Sequence, residues 1–131
     1  LNKDMKMKSI IILGLAILSL AQIPMIFAVE QRQILGKWIS LGSAKSLVDD
    51  RSKLKSYYKK GEFIWHFTKD NNLNVLSPGE KDVIPFKISG EYLILKQSGF
   101  EGKMKVVKIT ETELIVINPL GNYEYYEKSN K

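Results

Sequence analysis

From residue 62 onward, apolar and polar residues alternate with a period of two, which is the pattern of half-buried β-strands. Clusters of Gly, Pro, Asn and Asp divide this part of the chain into short segments. With one earlier segment they predict eight strands, at residues 34–41, 62–69, 73–76, 83–89, 91–97, 103–110, 113–118 and 122–128. Short connections predict antiparallel neighbours, and eight consecutive strands allow the sheet to close into an up-and-down barrel without free edges.

Residues 44–60 carry the one helical pattern that follows residue 28. The apolar positions recur at spacings of about three and four residues, and they are Leu47, Val48, Leu54, Tyr57 and Tyr58. This pattern predicts one short helix after the first strand. Because Leu54, Tyr57 and Tyr58 directly precede the second strand, they are a candidate lid over an open end of the barrel. Packing of the helix on the outside of the barrel is the alternative.

Strand alternation assigns one face of each strand to the barrel interior. The second strand places three aromatic residues on one face, which is costly to leave in water. The predicted interior residues, which are also the candidate ligand-binding residues, are Trp38, Phe63, Trp65, Phe67, Phe86, Ile88, Leu93, Leu95, Val107, Ile109, Leu114 and Val116. An eight-stranded barrel is wide enough either to be filled by side chains or to hold one small ligand, so both interpretations are open.

Residues 1–28 have the order of a secretory signal peptide. Lys3, Lys6 and Lys8 precede an apolar run over residues 10–21, and Pro24 then breaks the stretch that ends in the small residue Ala28. We expect export with cleavage after Ala28, which leaves residues 29–131 as the barrel domain. Cleavage after Ala21 and an uncleaved membrane anchor are the alternatives.

Charge and composition exclude several classes of function. The formal net charge of +6 falls to a mild excess of 17 basic over 13 acidic residues once residues 1–28 are set aside, and Lys and Glu are interspersed rather than clustered. This pattern is typical of solvated strand faces and does not indicate a nucleic-acid-binding surface. The absence of cysteine excludes disulfides, thiolate metal sites and a lipid-anchoring cysteine.

No residue pattern indicates catalysis. His66 is the one histidine of the chain, so it cannot assemble a metal site of the usual kind, and the adjacent Asp49 and Asp50 diverge on a helix. The chain has no nucleophile motif and no phosphate-binding loop. We therefore predict a protein that is not an enzyme and that needs no cofactor or metal.

Several blocks of the chain resemble the short bacterial lipocalin-like domain family. Leu35-Gly36-Lys37-Trp38 is similar to the Gly-x-Trp signature of lipocalins, and the blocks at residues 67–72, 86–93, 107–114 and 123–128 follow in the order of that family. The resemblance covers residues 34–128. It implies an eight-stranded barrel that captures small apolar molecules, with Trp38 at its closed end. The family places an arginine of the last strand on this tryptophan, whereas the last strand here contains Lys128.

Three functional hypotheses follow from the sequence. The first is an exported barrel that binds a small hydrophobic or amphipathic ligand in its interior. The second is a packed barrel that serves as a protein-interaction or envelope-structural module. The third is a binder of anions or membrane surfaces that uses the mild basic excess. An internal cavity would favour the first hypothesis, and a filled core beside an exposed apolar patch would favour the second.

Overall fold

The computed structural model describes residues 28–130, which form a closed barrel of eight antiparallel strands joined in sequence order. The strands are β1 (Gly36–Ala44), β2 (Ile64–Phe67), β3 (Asn72–Ser77), β4 (Glu80–Ser89), β5 (Tyr92–Gln97), β6 (Phe100–Ile109), β7 (Glu113–Ile117) and β8 (Tyr123–Lys128). Pairing of β8 with β1 completes the ring, so each strand has two neighbours. The predicted mainly β, eight-stranded barrel is confirmed.

The predicted signal segment lies outside the described residues except for Ala28. Among residues 28–130, no helix has the length and apolar character needed to cross a membrane.

Two strands begin three residues earlier than the sequence pattern predicted. β4 starts at Glu80 and β6 at Phe100, each three residues before its predicted start. Ser98 and Gly99 both adopt positive φ, at 49° and 85°, which is the geometry of a tight two-residue hairpin. The turn is therefore complete before Phe100, and the residues expected in a loop pair with β5 instead.

The predicted helix over residues 44–60 is wrong in its extent. Ala44 still belongs to β1, and the helical structure that follows is a single 3-10 turn at Arg51–Lys53. The Asp50 side chain accepts a hydrogen bond from the Ser52 N–H at 2.9 Å. Such a hydrogen bond between a side chain and the nearby backbone competes with the backbone hydrogen bonds of a continuous helix. Leu47 is 57 % exposed and Tyr57 99 % exposed, so the apolar positions do not share a buried face.

The interior assignment of Val107 is also wrong. A β-bulge interrupts the pairing of β6 with β7 between Val106 and Lys108, so Val107 is an extra residue with no partner in the register. A bulge shifts the alternation by one residue. Val106, 1 % exposed, consequently lies in the core together with Ile109, whereas Val107 is half-buried and outside the core cluster.

A short N-terminal segment closes one end of the barrel, which we call the closed end. The helical turn α1 (Gln31–Ile34) precedes β1, and Glu30 and Gln33 form a capping box around it. Val29 and Ile34 are buried in the core, and the Val29 N–H donates to the Gly90 carbonyl at 2.9 Å. This segment thus covers the β4–β5 hairpin end of the barrel.

Candidate ligand-binding site

Most of the predicted interior residues form one packed core. The buried residues of this core cluster are Val29, Ile34, Trp38, Trp65, Phe67, Leu73, Phe86, Leu93, Val106, Ile109, Leu114, Val116 and Tyr126. Phe63, Ile88 and Leu95 pack against them and are only partly buried. The T-shaped contact of Phe67 with Phe86, with ring centroids 5.0 Å apart, fills the space between β2 and β4.

Trp38 and Lys128 seal the core at the closed end. The Trp38 indole N–H donates to the Ile34 carbonyl at 2.8 Å, and the Lys128 ammonium lies 4.6 Å from the centre of the Trp38 ring. Lys128 also donates to the Leu35 carbonyl. Burial lowers the pKa of the Lys128 ammonium, as expected for a cation removed in part from water. Lysine therefore occupies the stacking position over the tryptophan.

The opposite end of the barrel, which we call the mouth, holds a pocket of about 380 Å³. It is bounded by the ends of β1 and β8, by the β7–β8 connection and by residues 54–63, which we call the mouth loop. The residues that line it are Ser40, Gly42, Ser43, Lys55, Ser56, Tyr57, Tyr58, Phe63, Asn118, Leu120, Asn122, Glu124 and Tyr126. The pocket combines apolar and polar groups, which is typical of sites for small molecules.

A hydrogen-bonded trio of β7–β8 residues supplies the polar groups of the pocket. The Tyr126 hydroxyl donates to one carboxylate oxygen of Glu124 at 2.7 Å, and the Asn118 amide donates to the other at 2.8 Å. Burial, and secondarily the Glu124 charge, raise the pKa of the Tyr126 phenol well above its normal range. The phenol therefore keeps its proton at neutral pH and fixes the orientation of the carboxylate.

The mouth loop forms the aromatic wall of the pocket. Lys55 forms an isolated bridge with Ser43 through two backbone hydrogen bonds of 2.9 Å, which anchors the start of the loop to the end of β1. Tyr58 stacks on Phe63 with ring centroids 5.1 Å apart. The candidate lid residues Tyr57 and Tyr58 line the pocket, and Leu54 is half-buried beside Gly42.

The segment before the mouth loop packs on the outside of the barrel. In this outer loop (residues 45–53), the Val48 N–H donates to the Tyr125 hydroxyl at 2.9 Å, and Arg51 lies 3.7 Å from both Glu113 and Glu127. Residues 44–60 therefore divide into two parts, and a lid function of the second part stays a prediction. The first part covers the outer face of β7 and β8, and the second part lies at the mouth.

The pocket overlaps only in part with the predicted site. Phe63 of the predicted interior residues and the candidate lid residues Tyr57 and Tyr58 line it, whereas the other predicted interior residues and Leu54 do not. Sequence reasoning missed Glu124 and Asn118. The available signal was the alternation of β8, because Glu124 shares its face with Tyr126 and Lys128, and a charged residue on an inward face at a strand end indicates a polar lining.

A larger depression of about 650 Å³ lies on the surface of the closed end. It is lined by Arg32, Gln33, Thr110, Glu111 and Lys128. None of these residues is aromatic, so the depression lacks the aromatic wall that the mouth pocket offers to an amphipathic molecule. We therefore regard the mouth pocket as the better candidate site.

His66 lies on β2 between the core residues Trp65 and Phe67, with its side chain half-buried on the opposite face. Burial and the nearby Lys37 and Lys81 lower the pKa of its imidazole. Within residues 28–130 no group of three His, Cys, Asp or Glu side chains is close enough to hold a metal ion.

The fold and the pocket define a small closed β-barrel with a sealed end and an open, partly polar mouth. Comparison of the chain with models of known protein families, with characterised proteins and with solved structures finds no significant match.

Proposed function

We propose that this protein is an exported, non-enzymatic, lipocalin-like barrel that binds a small amphipathic molecule in the mouth pocket. The observation that carries this proposal is the composition of the pocket. A stacked Tyr58–Phe63 pair forms an apolar wall beside the oriented Glu124 carboxylate. A volume of about 380 Å³ suits a small ligand.

The interior of the barrel is filled by side chains, so the ligand does not bind in a hollow core. Trp65 stacks on Tyr126 at 4.3 Å, and Trp38, Leu93 and Leu114 below them are fully buried. A ligand therefore meets side chains of the core cluster at the base of the pocket. Its binding site is the mouth, where the interior residue Phe63 is only partly buried and lines the pocket.

A non-enzymatic role fits the chemistry of the Tyr126–Glu124 pair. The raised pKa of the Tyr126 phenol makes it a poor proton donor and a poor nucleophile near neutral pH. The resemblance to lipocalin-like domains and the signal-like residues 1–28 support binding outside the cytoplasm.

Native mass spectrometry tests the proposal on protein purified from its own host, before and after delipidation. We expect a ligand-sized mass difference that disappears on delipidation. Tyr58→Ala removes one ring of the aromatic wall and should abolish the retained mass. Tyr92→Ala is the matched control, because Tyr92 is 39 % exposed and Tyr58 41 % exposed, but Tyr92 does not line the pocket. Repeated absence of a bound mass, or equal retention by both variants, would contradict ligand binding at the mouth.

A packed barrel acting as a protein-interaction or envelope-structural module is the second candidate. The observation that favours it is the exposure of large apolar residues at the mouth end: Tyr57 is 99 %, Leu120 86 % and Phe100 67 % exposed. Such exposure is a common feature of interaction surfaces. A ligand-free protein from its own host that co-purifies with a second protein, and loses it in Leu120→Ser, would support this module instead.

A further inference from the structure

The negative charge of the pocket has no cationic partner in the described chain. Within residues 28–130, no Lys, Arg or His side chain forms an ion pair with Glu124, and its two hydrogen bonds come from the neutral Tyr126 and Asn118. A carboxylate offers about four acceptor positions, so each oxygen of Glu124 has capacity for a further donor. The carboxylate is therefore oriented and still able to bind.

Aromatic side chains share the pocket with this carboxylate. Tyr57, Tyr58 and Phe63 contribute to the lining. The face of an aromatic ring carries partial negative charge and attracts organic cations. A carboxylate and several aromatic rings in one pocket therefore favour the same kind of ligand group, which is a positively charged amine or ammonium.

The positions of the polar and apolar groups in the pocket indicate which part of a ligand lies inside the mouth and which part lies at the rim. Glu124 and Tyr126 belong to β8 and are half-buried and buried, whereas Tyr57 and Leu120 at the rim are almost fully exposed. A polar group therefore meets its partners inside the mouth, and an apolar group meets Tyr57 and Leu120 as it emerges. The polar group of the ligand therefore points into the barrel, whereas a ligand held in a hollow barrel would point its apolar tail inward.

We propose that the ligand is a cationic amphiphile whose ammonium group binds Glu124 among the aromatic rings of the mouth loop. Its short apolar part extends outward past Leu120. This inference rests on the proposed function, because it specifies the ligand class of the same pocket.

Lys55 is the positively charged residue of the pocket lining, and by itself it would favour an anionic ligand. Its side chain is exposed, and within the described residues no carboxylate lies within ion-pair distance of it. An anionic amphiphile would use Lys55, but its charge would then share a small pocket with Glu124. A cation meets repulsion from an ammonium that is free to move into water, whereas an anion meets repulsion from a carboxylate held by two hydrogen bonds.

Isothermal titration of the delipidated full protein with octylammonium, octanoate and octanol tests the ligand class, because the three probes differ mainly in head-group charge. We expect octylammonium to bind at least about tenfold more tightly than octanoate, as for a charge pair with a partly buried carboxylate. Raising the salt from about 50 to about 500 mM should weaken octylammonium binding and leave octanol binding unchanged.

Three charge-neutralising variants complete the experiment. Glu124→Gln should reduce octylammonium affinity by about tenfold while octanol affinity changes little, because the carboxamide keeps the shape but loses the charge. Glu111→Gln is the matched control, since it makes the same charge change at the closed end. Lys55→Met should raise octylammonium affinity.

The outcomes separate this inference from the proposed function. Three results would overturn the cationic ligand class while leaving an amphiphile site. Octanoate could bind as tightly as octylammonium or more tightly, octanoate binding could be lost in Lys55→Met, or the octylammonium affinity could be unchanged in Glu124→Gln. A salt-independent octylammonium affinity would do the same even if Glu124→Gln failed to fold. Failure of all three probes to bind would contradict both the inference and the proposed function.

Discussion

At the scale of single residues, one glycine at each end of the barrel lies where another part of the chain approaches its backbone closely. Gly36 adopts φ of +112°, and a Cβ there would lie 2.7 Å from the Lys128 ammonium that covers Trp38. Gly42 adopts φ of +117°, and a Cβ there would lie 2.7 Å from the Lys55 carbonyl that anchors the mouth loop. Gly42 therefore requires glycine for both conformation and space, whereas Gly36 requires it for conformation, because the flexible Lys128 side chain can move away from an added Cβ.

Gly42→Ala should displace the mouth loop from β1. The positive φ and the contact with the Lys55 carbonyl together cost about 1–3 kcal/mol of folding free energy. Gly79→Ala is the control, because Gly79 also has a positive φ of +75° but no atom lies within 4 Å of the added Cβ. Both variants should melt earlier, but only Gly42→Ala should speed amide hydrogen exchange at Ser43 and Lys55. Equal exchange rates in the two variants would contradict this account of the loop.

Tyr126 should make the stability of the protein fall at alkaline pH. Its phenol pKa is raised well above the usual value of 10.0 in the folded barrel, so the folded state retains a proton that the unfolded chain releases. The resulting stability is complete below pH 10 and decreases above it, by at most about 1.4 kcal/mol per pH unit.

Denaturant unfolding of Tyr126→Phe between pH 8 and 11.5 tests this prediction. The variant should lose less stability than the unmodified protein above pH 10, whereas the control Tyr92→Phe should behave like the unmodified protein. Lys128, whose pKa is lowered, contributes with the opposite sign just below its usual value of 10.5, and comparison with the variant cancels this contribution. Parallel curves for Tyr126→Phe and the unmodified protein would show that the phenol is not the titrating group.

At the scale of elements, the connection between β1 and β2 is long, whereas the other strands are joined by short turns. Its outer loop contacts β7 and β8 through the buried Tyr125 and through the half-exposed Arg51, which lies near two partly buried glutamates, and its mouth loop forms the pocket wall. Lys60 lies 3.1 Å from Glu127, and Lys108 lies 3.2 Å from Glu113. These lysines offset the repulsion between the two glutamates, which face each other across β7 and β8.

Tyr125→Phe should destabilise the outer loop more than Arg51→Met does. The Tyr125 ring is buried and its hydroxyl binds Val48, so its loss costs about 1 kcal/mol. The Arg51 guanidinium is half-exposed and 3.7 Å from its partners, and such a surface pair contributes about 0–1 kcal/mol. Denaturant unfolding at physiological salt, with a double variant to measure coupling, provides the comparison. A larger loss in Arg51→Met would mean that the charges hold the loop.

At the scale of the whole molecule, the barrel has two different ends. The N-terminal segment and Trp38 seal one end, and the pocket opens at the other. The described chain begins at the closed end, so a membrane tether joined to Ala28 would hold the barrel by the end opposite the mouth. Of the interpretations considered for residues 1–28, the uncleaved anchor is the one that keeps such a tether, and the pocket would then face away from the membrane.

Ile34→Ala should destabilise the entire barrel, although Ile34 precedes the first strand. Its side chain is completely buried at the closed end, and truncation of such a residue costs about 2–5 kcal/mol. Leu47→Ala is the control, because Leu47 is 57 % exposed and should cost less than about 0.5 kcal/mol. Thermal unfolding provides the measurement. Similar melting temperatures for the two variants would mean that the N-terminal segment does not contribute to the core.

The amino-acid sequence determined the strand number, the antiparallel order and most of the inward faces. These features follow from local alternation and from turn residues, because side chains on a strand point alternately to its two faces. Val107 shows the limit of this reasoning, since the bulge that displaces it depends on how β6 meets β7.

Only the tertiary structure decided where a ligand has room to bind. Residues 44–60 have a helical pattern, but the hydrogen bonds of Lys55 with Ser43 of β1 and of Val48 with Tyr125 of β8 draw them into two loops. The pocket also joins Glu124 and Asn118 to Tyr58 and Phe63, which are more than 50 positions away in the chain. Alternation along one strand shows which way a side chain points, whereas a pocket depends on which strands and loops meet around it.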